Sequence, residues 1–279
     1  MSGKILVLGA TGTIGKSLVA ALVAKGESVK AASRGGQAVG GAEGVAFDYG
    51  IPATFAAALD GVDRAFVLAP TGTEDVIAAL KPIIAAAAER KVKVVLMTAW
   101  GVDAVDEIPY RQVELFLIKS GTPYVILRPN WFQDNFLTFW GHGVQAGAIA
   151  VPAGDGQSAF IDTRDIADVA AAVLTTSAHD GAAYPLSGPR AIGYAEAAAL
   201  ISTAIGRPVA YQASTDEAFI AMLTGAGVTP GYAAFLASIF YPVREGWTAA
   251  TTNYVALLTG HKPRTLEAWI AEHAAALKG

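Results

Sequence analysis

The chain has 279 residues, 53% hydrophobic and 16% charged, so it can build a substantial core and is not composed like a disordered polypeptide. Its 20 basic and 24 acidic residues leave a formal net charge of −4, which argues against a dedicated nucleic-acid or anionic-membrane binder. Cysteine is absent, which excludes disulfides, cysteine-ligated zinc and thiol catalysis.

Mean hydropathy is +0.42. Three uncharged stretches, 135–154, 218–243 and 246–260, reach or approach the length of a membrane span. Glycine and proline interrupt the first two, and the third is too short. The first residues, MSGK, run straight into an apolar strand without a signal-peptide pattern. These features imply a soluble, cytoplasmic protein that works on small molecules, with no nucleic-acid or membrane partner. Its oligomeric state is left open.

In chain order, residues 4–8 (KILVL) read as a buried strand, followed by Ile14, Leu18, Ala21 and Leu22 at helical spacing. Strands follow at 28–33, 45–47 and 64–69. A helix spans Val76 to Ala87 with a kink expected at Pro82, and a strand follows at 92–98. A helix at 110–119 leads to a strand at 124–127. Strands apolar on both faces and separated by helices imply a parallel sheet covered on both sides, an α/β doubly wound fold. Residues 129–161 are aromatic and glycine-rich and break this rhythm. A helix at 165–175 and a strand at 184–186 return to it. Beyond Gly193 the pattern is mainly helical, with one strand near 209–212 and a terminal helix at 263–277. The predicted organisation is a nucleotide-binding domain of residues 1–131 with 162–188, and a substrate region of residues 132–161 with 189–279.

Residues 9–15 read Gly9-Ala10-Thr11-Gly12-Thr13-Ile14-Gly15, after the first strand and at the start of the first helix. Glycines there permit a tight turn and let a pyrophosphate approach helix-terminal amides. Residues 10–17 also match a relaxed nucleoside-triphosphate loop, with alanine in place of its first glycine. The dinucleotide turn is preferred because Gly9 and Gly12 suit it and the second strand ends in a ribose-contacting pair. That end reads Ser33-Arg34, with no carboxylate where an NAD site usually has one. An arginine fork suits a 2′-phosphate, so the expected cofactor is NADP(H). Asp48, the run Ala69-Pro70-Thr71, and Thr98 with Ala99 end the following strands and are expected to line the cofactor. Asp48 reads equally as a turn carboxylate.

The segments GATGTIG at 9–15, SR at 33–34, YVILRPNWFQDNF at 124–136, FIDTRDIA at 160–167 and TGHKPRTL at 259–266 resemble the NmrA-like branch of the atypical short-chain dehydrogenase/reductases. This resemblance implies a Rossmann sheet with a small substrate-binding region. It carries Gly9, Gly12 and Gly15 over as phosphate-loop residues and Arg34 as a 2′-phosphate contact. It also places Pro129, Asn130, Trp131 and Phe132 beside the nicotinamide. The branch holds NADPH-dependent quinone and triphenylmethane dye reductases, and also redox-sensing regulators that bind NADP without catalysis.

None of the nine tyrosines has lysine four residues on, so the usual Tyr-x-x-x-Lys acid is missing. Tyr110 occupies the expected helix with Glu114 in the lysine position, and this pair is the candidate catalytic set. A ketone needs an acid, whereas a quinone or a cationic dye accepts hydride with little help. The expectation is an NADPH-dependent reductase of a flat conjugated acceptor. Its rival is an NADP(H)-binding sensor. Trp131, Phe132, Phe136, Tyr232, Phe235, Phe240 and Trp247 are candidate stacking residues, and 224–231 a candidate lid hinge. The four histidines show no metal-like spacing, and Asp162, Arg164, Asp165 and Asp168 read as a helix cap with local ion pairs.

Overall fold

The computed structural model describes residues 3–279. They divide into two compact units. One holds the chain up to Pro129, Thr163–Pro185 and Tyr254–His261; the other holds Asn130–Asp162, Leu186–Asn253 and Lys262–Gly279.

The first unit begins with β1 (Lys4–Val7), α1 (Thr13–Ala24), β2 (Val29–Ser33), β3 (Glu43–Ala46) and α2 (Phe55–Leu59). It continues with β4 (Val62–Val67), α3 (Val76–Glu89), β5 (Lys93–Met97), α4 (Pro109–Lys119) and β6 (Tyr124–Pro129). The chain enters the second unit for α5 (Gly141–Ala146), β7 (Ala148–Val151) and β8 (Gln157–Ser158), then returns for α6 (Thr163–Leu174) and β9 (Ala182–Leu186). The second unit resumes with β10 (Ile192–Gly193), α7 (Tyr194–Ile205), β11 (Ala210–Ala213), α8 (Asp216–Gly225), α9 (Pro230–Ser238) and α10 (Tyr241–Arg244). Helix α11 (Tyr254–Thr259) belongs to the first unit and α12 (Leu266–Lys278) to the second.

Seven strands of the first unit form one sheet in the order β3-β2-β1-β4-β5-β6-β9. The pairs from β3 through β6 are parallel. All five residues of β5 are buried, as expected of a strand covered on both faces. Leu6, Val67, Leu80, Ile84, Leu96 and Leu117 share one core, so strands and helices alike bury apolar side chains there. Strand order reverses between β2-β1 and β1-β4, which makes the carboxyl end of β1 a topological switch point. This is the doubly wound α/β sheet that the strand–helix alternation predicts.

The second unit is built around aromatic rings. Trp140 packs edge-on against Phe136 at 5.0 Å and Tyr194 at 5.5 Å, and Phe160 meets Tyr194 at 5.4 Å. Trp269 of α12 and Phe240 complete this core at 1% and 2% exposure.

Three local features have physical causes. Residues 148–151 (AIAV), within a segment that reads as irregular, pair in parallel with β11. Four residues, two of them alanine, carry too little β-branched pattern to announce a strand. Helix α3 runs unbroken through Pro82. The hydrogen bond lost there is one that the carbonyl of exposed Ala78 would have accepted from position 82, and Asp75 caps the helix by accepting from Ala78 N at 2.9 Å. Helix α12 starts at Leu266 rather than 263, because Thr265 caps it by accepting from Ala268 N at 3.1 Å. Among the described residues, no helix is long and apolar enough to cross a membrane.

Replacing Trp269, 1% exposed, by alanine should cost about 3–5 kcal/mol of stability in urea unfolding. A loss below about 1 kcal/mol would contradict its place in the second core.

Candidate functional site

The turn after β1 is shaped by three glycines. Gly9 has φ +66°, in the left-handed region. Its carbonyl accepts from Gly12 N at 2.9 Å, and the Gly12 carbonyl accepts from Lys16 N at 3.0 Å. A Cβ on Gly15 would stand 2.1 Å from Gly9 O and 2.7 Å from Gly9 C. Only glycine at position 15 lets α1 start this close to the turn. Gly9, Thr11, Gly12 and Thr13 are exposed, while Ile14 and Gly15 are buried. Gly12 caps α1 without a side-chain hydrogen bond, and the first helical turn holds no acidic residue. The first amides of α1 therefore lack a capping side chain at a positive helix terminus, the condition for holding an anion.

Other strand ends follow the same edge of the sheet. Ser33 is half-buried, Arg34 is exposed, and Ser33 Oγ donates to Gln37 Oε1 at 3.4 Å. Asp48 Oδ1 accepts from Gly50 N at 2.8 Å, so this carboxylate closes a turn after β3. Ala69 is half-buried, and Pro70 and Thr71 are exposed after β4. Tyr49 was not anticipated. Its hydroxyl donates to Leu68 O at 2.5 Å, and burial, with a smaller push from Tyr110, raises its pKa above the ordinary tyrosine value. The only sequence signal for it is its position beside Asp48.

Thr98 is buried at the exit of β5, and Ala99 follows half-buried. Thr98 Oγ1 donates to Glu114 Oε1 at 2.8 Å. Glu114, on α4, is 0% exposed. It also accepts from Arg128 Nε at 2.9 Å, Arg128 Nη2 at 2.8 Å and Arg111 Nη1 at 3.1 Å. Tyr110, the second residue of α4, is half-buried against the first core. Arg128 escapes a motif search because it ends an otherwise apolar run, YVILRP. A cation on a buried strand is nonetheless a sign that a buried anion waits for it.

Pro129 ends β6 and is buried. In the second unit, Asn130 is 2% exposed; its Nδ2 donates to Thr248 O at 2.8 Å and its Oδ1 accepts from Trp131 N at 2.8 Å. Trp131 packs on Phe240 at 4.8 Å and Trp140 at 5.7 Å, and Phe132 bridges to Ile161. Of the candidate stacking residues, Phe136 and Phe240 are core. Phe235 and Trp247 are 47% and 55% exposed, paired with Tyr232 and Tyr241 respectively. Residues 226–229 join α8 to α9, and Gly227 there has φ +89°.

In the first unit, sequence spacing also conceals a contact of His261 Nε2 with Asp168 Oδ2, 3.1 Å apart. Ligand-type atoms of Asp165, Asp168 and His261 all lie within 4.8 Å of one another.

The model of the NmrA-like family matches residues 1–270. The chain is 33% identical to the NAD(P)H azoreductase of Xenophilus azovorans, over 98% of each chain. It is 36% identical to the (4-alkanoyl-5-oxo-2,5-dihydrofuran-3-yl)methyl phosphate reductase of Streptomyces griseus, again over 98% of each. Among solved structures, the NADPH-dependent quinone oxidoreductase QOR2 of Escherichia coli superposes with a TM-score of 0.82 at 26% identity, covering 96% of this chain and 98% of that one.

Gly15→Ala should lower stability by about 2–3 kcal/mol in urea unfolding, because backbone must move to admit the methyl group. Gly26→Ala is the control: φ is +78° and nothing lies within 4 Å of its Cβ, so only about 1 kcal/mol of backbone strain is expected. Equal effects would remove the steric account of the turn.

Proposed function

The chain belongs to the NmrA-like family, and from that membership we propose that it is an NADPH-dependent reductase of flat conjugated acceptors such as quinones. The observation that carries this reading is the glycine turn, which opens α1 with no side-chain cap and no acidic residue in the first helical turn. A Cβ at Gly15 would fill the turn, so the residues present fit a pyrophosphate cradle made by backbone alone. Membership of this family and the reductase relatives support the dinucleotide over a nucleoside triphosphate.

Gly9, Thr11, Gly12, Thr13, Ile14 and Gly15 would hold the pyrophosphate. Ser33 and exposed Arg34 would take the 2′-phosphate, with Asp48, Ala69, Pro70, Thr71, Thr98 and Ala99 along the strand ends. Asp48 Oδ1 already serves Gly50 N, so its contact would come through the other carboxylate oxygen. Pro129, Asn130, Trp131 and Phe132 are the proposed nicotinamide contacts. The Asn130 amide is committed to Thr248 and Trp131, so it would hold backbone in place rather than reach outward. When bound, reduced nicotinamide supplies the hydride.

Tyr110 is the proposed acceptor contact. We assign Glu114 to anchoring rather than proton transfer, because both its oxygens are engaged by three side chains and none of its surface is exposed. A site without a free acid suits acceptors whose reduced form spreads its charge. Within the second unit, the pairs Tyr232–Phe235 and Tyr241–Trp247 leave aromatic faces exposed. This reading makes the protein an oxidoreductase with a small-molecule partner.

Arg34→Asp should raise the Kd for NADPH about tenfold to a hundredfold while leaving NADH within about threefold, measured by fluorescence titration. Equal losses would remove Arg34 from the 2′-phosphate. NADPH should be consumed with quinones and cationic dyes and not with isolated ketones. Tight NADPH binding without turnover of any acceptor would instead favour a sensor.

A further inference from the structure

The first unit buries a charge cluster that the glycine turn does not use. Glu114 receives Thr98 from the exit of β5, Arg111 from its own helix and a two-nitrogen fork from Arg128 on β6. Both arginines also reach the segment that joins β5 to α4. Arg128 Nη1 donates to Asp103 Oδ2 at 2.5 Å, and Arg111 Nε donates to Asp106 Oδ1 at 3.0 Å. One buried carboxylate thus ties together two strand ends, their connection and a helix.

Two consequences follow for neighbouring groups. Glu114 is an anion held by two guanidinium groups and can only accept, so the Thr98 hydroxyl proton points at it. The remaining lone pairs of Thr98 Oγ1 are then available only to a donor. Tyr110 stands four residues before Glu114 and so lies on the same helix face. Anchoring Glu114 fixes the roll of α4 and with it the direction in which Tyr110 leaves the helix. A lysine at 128 would keep the charge but lose the planar fork that prevents this roll.

We propose that Arg128 is a positioning residue of the reductase site, acting through Glu114 to orient Tyr110 and Thr98. Arg128 itself contacts neither nucleotide nor acceptor. The inference rests on the reading that the exits of β5 and β6 face the reacting groups.

The test compares full-length wild type, Arg128→Lys, Arg128→Met and Asp103→Asn, with NADPH and 1,4-naphthoquinone as probes. Tm, the Kd for NADPH, KM for the quinone and kcat are measured for each. Arg128→Lys should stay folded with kcat reduced about tenfold or more, because small misplacement of a reacting contact is costly. Its KM and its NADPH Kd should stay within about threefold, a split that loss of folding would not produce. Arg128→Met should lower Tm by about 10 °C and reduce kcat further. Should it fail to fold, Asp103→Asn keeps the question open to refutation. The Asp103 side chain is 45% exposed, and its loss should loosen Arg128 Nη1, lowering kcat about threefold at unchanged Tm. Wild-type kcat in both Arg128→Lys and Asp103→Asn overturns the proposal, as does a NADPH Kd that weakens in parallel with kcat. A wild type that oxidises no NADPH with any quinone overturns the reductase reading and this inference with it; an active wild type beside unaffected variants overturns the inference alone.

Discussion

The carbonyl oxygen of Gly9 lies 2.1 Å from where the Cβ of any other residue at position 15 would stand. This close approach lets α1 begin directly behind the turn, so its first amides emerge at the carboxyl end of β1. The sheet order reverses beside that strand, which is where doubly wound sheets place their ligand crevice. Strand β1 in turn aligns the flanking ends: Ile5 sits opposite Val29 of β2 and Arg64 of β4. Ser33, Ala69 and Thr98 inherit their positions along one edge from this register.

A second constraint is electrostatic. A carboxylate as deeply buried as Glu114 is tolerated only with charge-matched donors on both oxygens; Arg111 and Arg128 provide them, and the Thr98 hydroxyl adds a neutral donor. The proton economy of the site follows from this saturation. Thr98 is left as an acceptor, and the residue four positions after Tyr110 is Glu114 rather than a lysine.

The sheet was legible because its strands are continuous apolar runs bounded by glycine or proline, and because helical periodicity separates them. That Thr98, Arg34 and the three glycines follow strand ends was legible for a related reason, because each stands where an apolar run gives way to a turn. What escaped reading depended on contacts distant in sequence. Arg128 finds Glu114 fourteen residues away, and His261 finds Asp168 at a separation of ninety-three, distances over which no local spacing rule applies. Strand β7 was hidden because its partner β11 lies some sixty residues further on. The aromatic residues were recognisable as a class but not by role. Only burial separates Phe136 and Phe240, which fill the second core, from Phe235 and Trp247, which remain at the surface.

The order in which the units are threaded has a consequence for biosynthesis. The chain alternates between them through six segments, and Lys262–Gly279, with Trp269 and Leu277, comes last. The second core therefore cannot close until residues 262–279 have been made, while the seven-stranded sheet can assemble earlier from residues up to Leu186. A ribosome adding roughly 5–20 residues per second would expose Phe136, Trp140 and Phe160 for several seconds before their last packing partners emerge. A stalled or carboxy-truncated product would display those rings uncovered, which makes it a natural client for hydrophobic-binding chaperones and proteases.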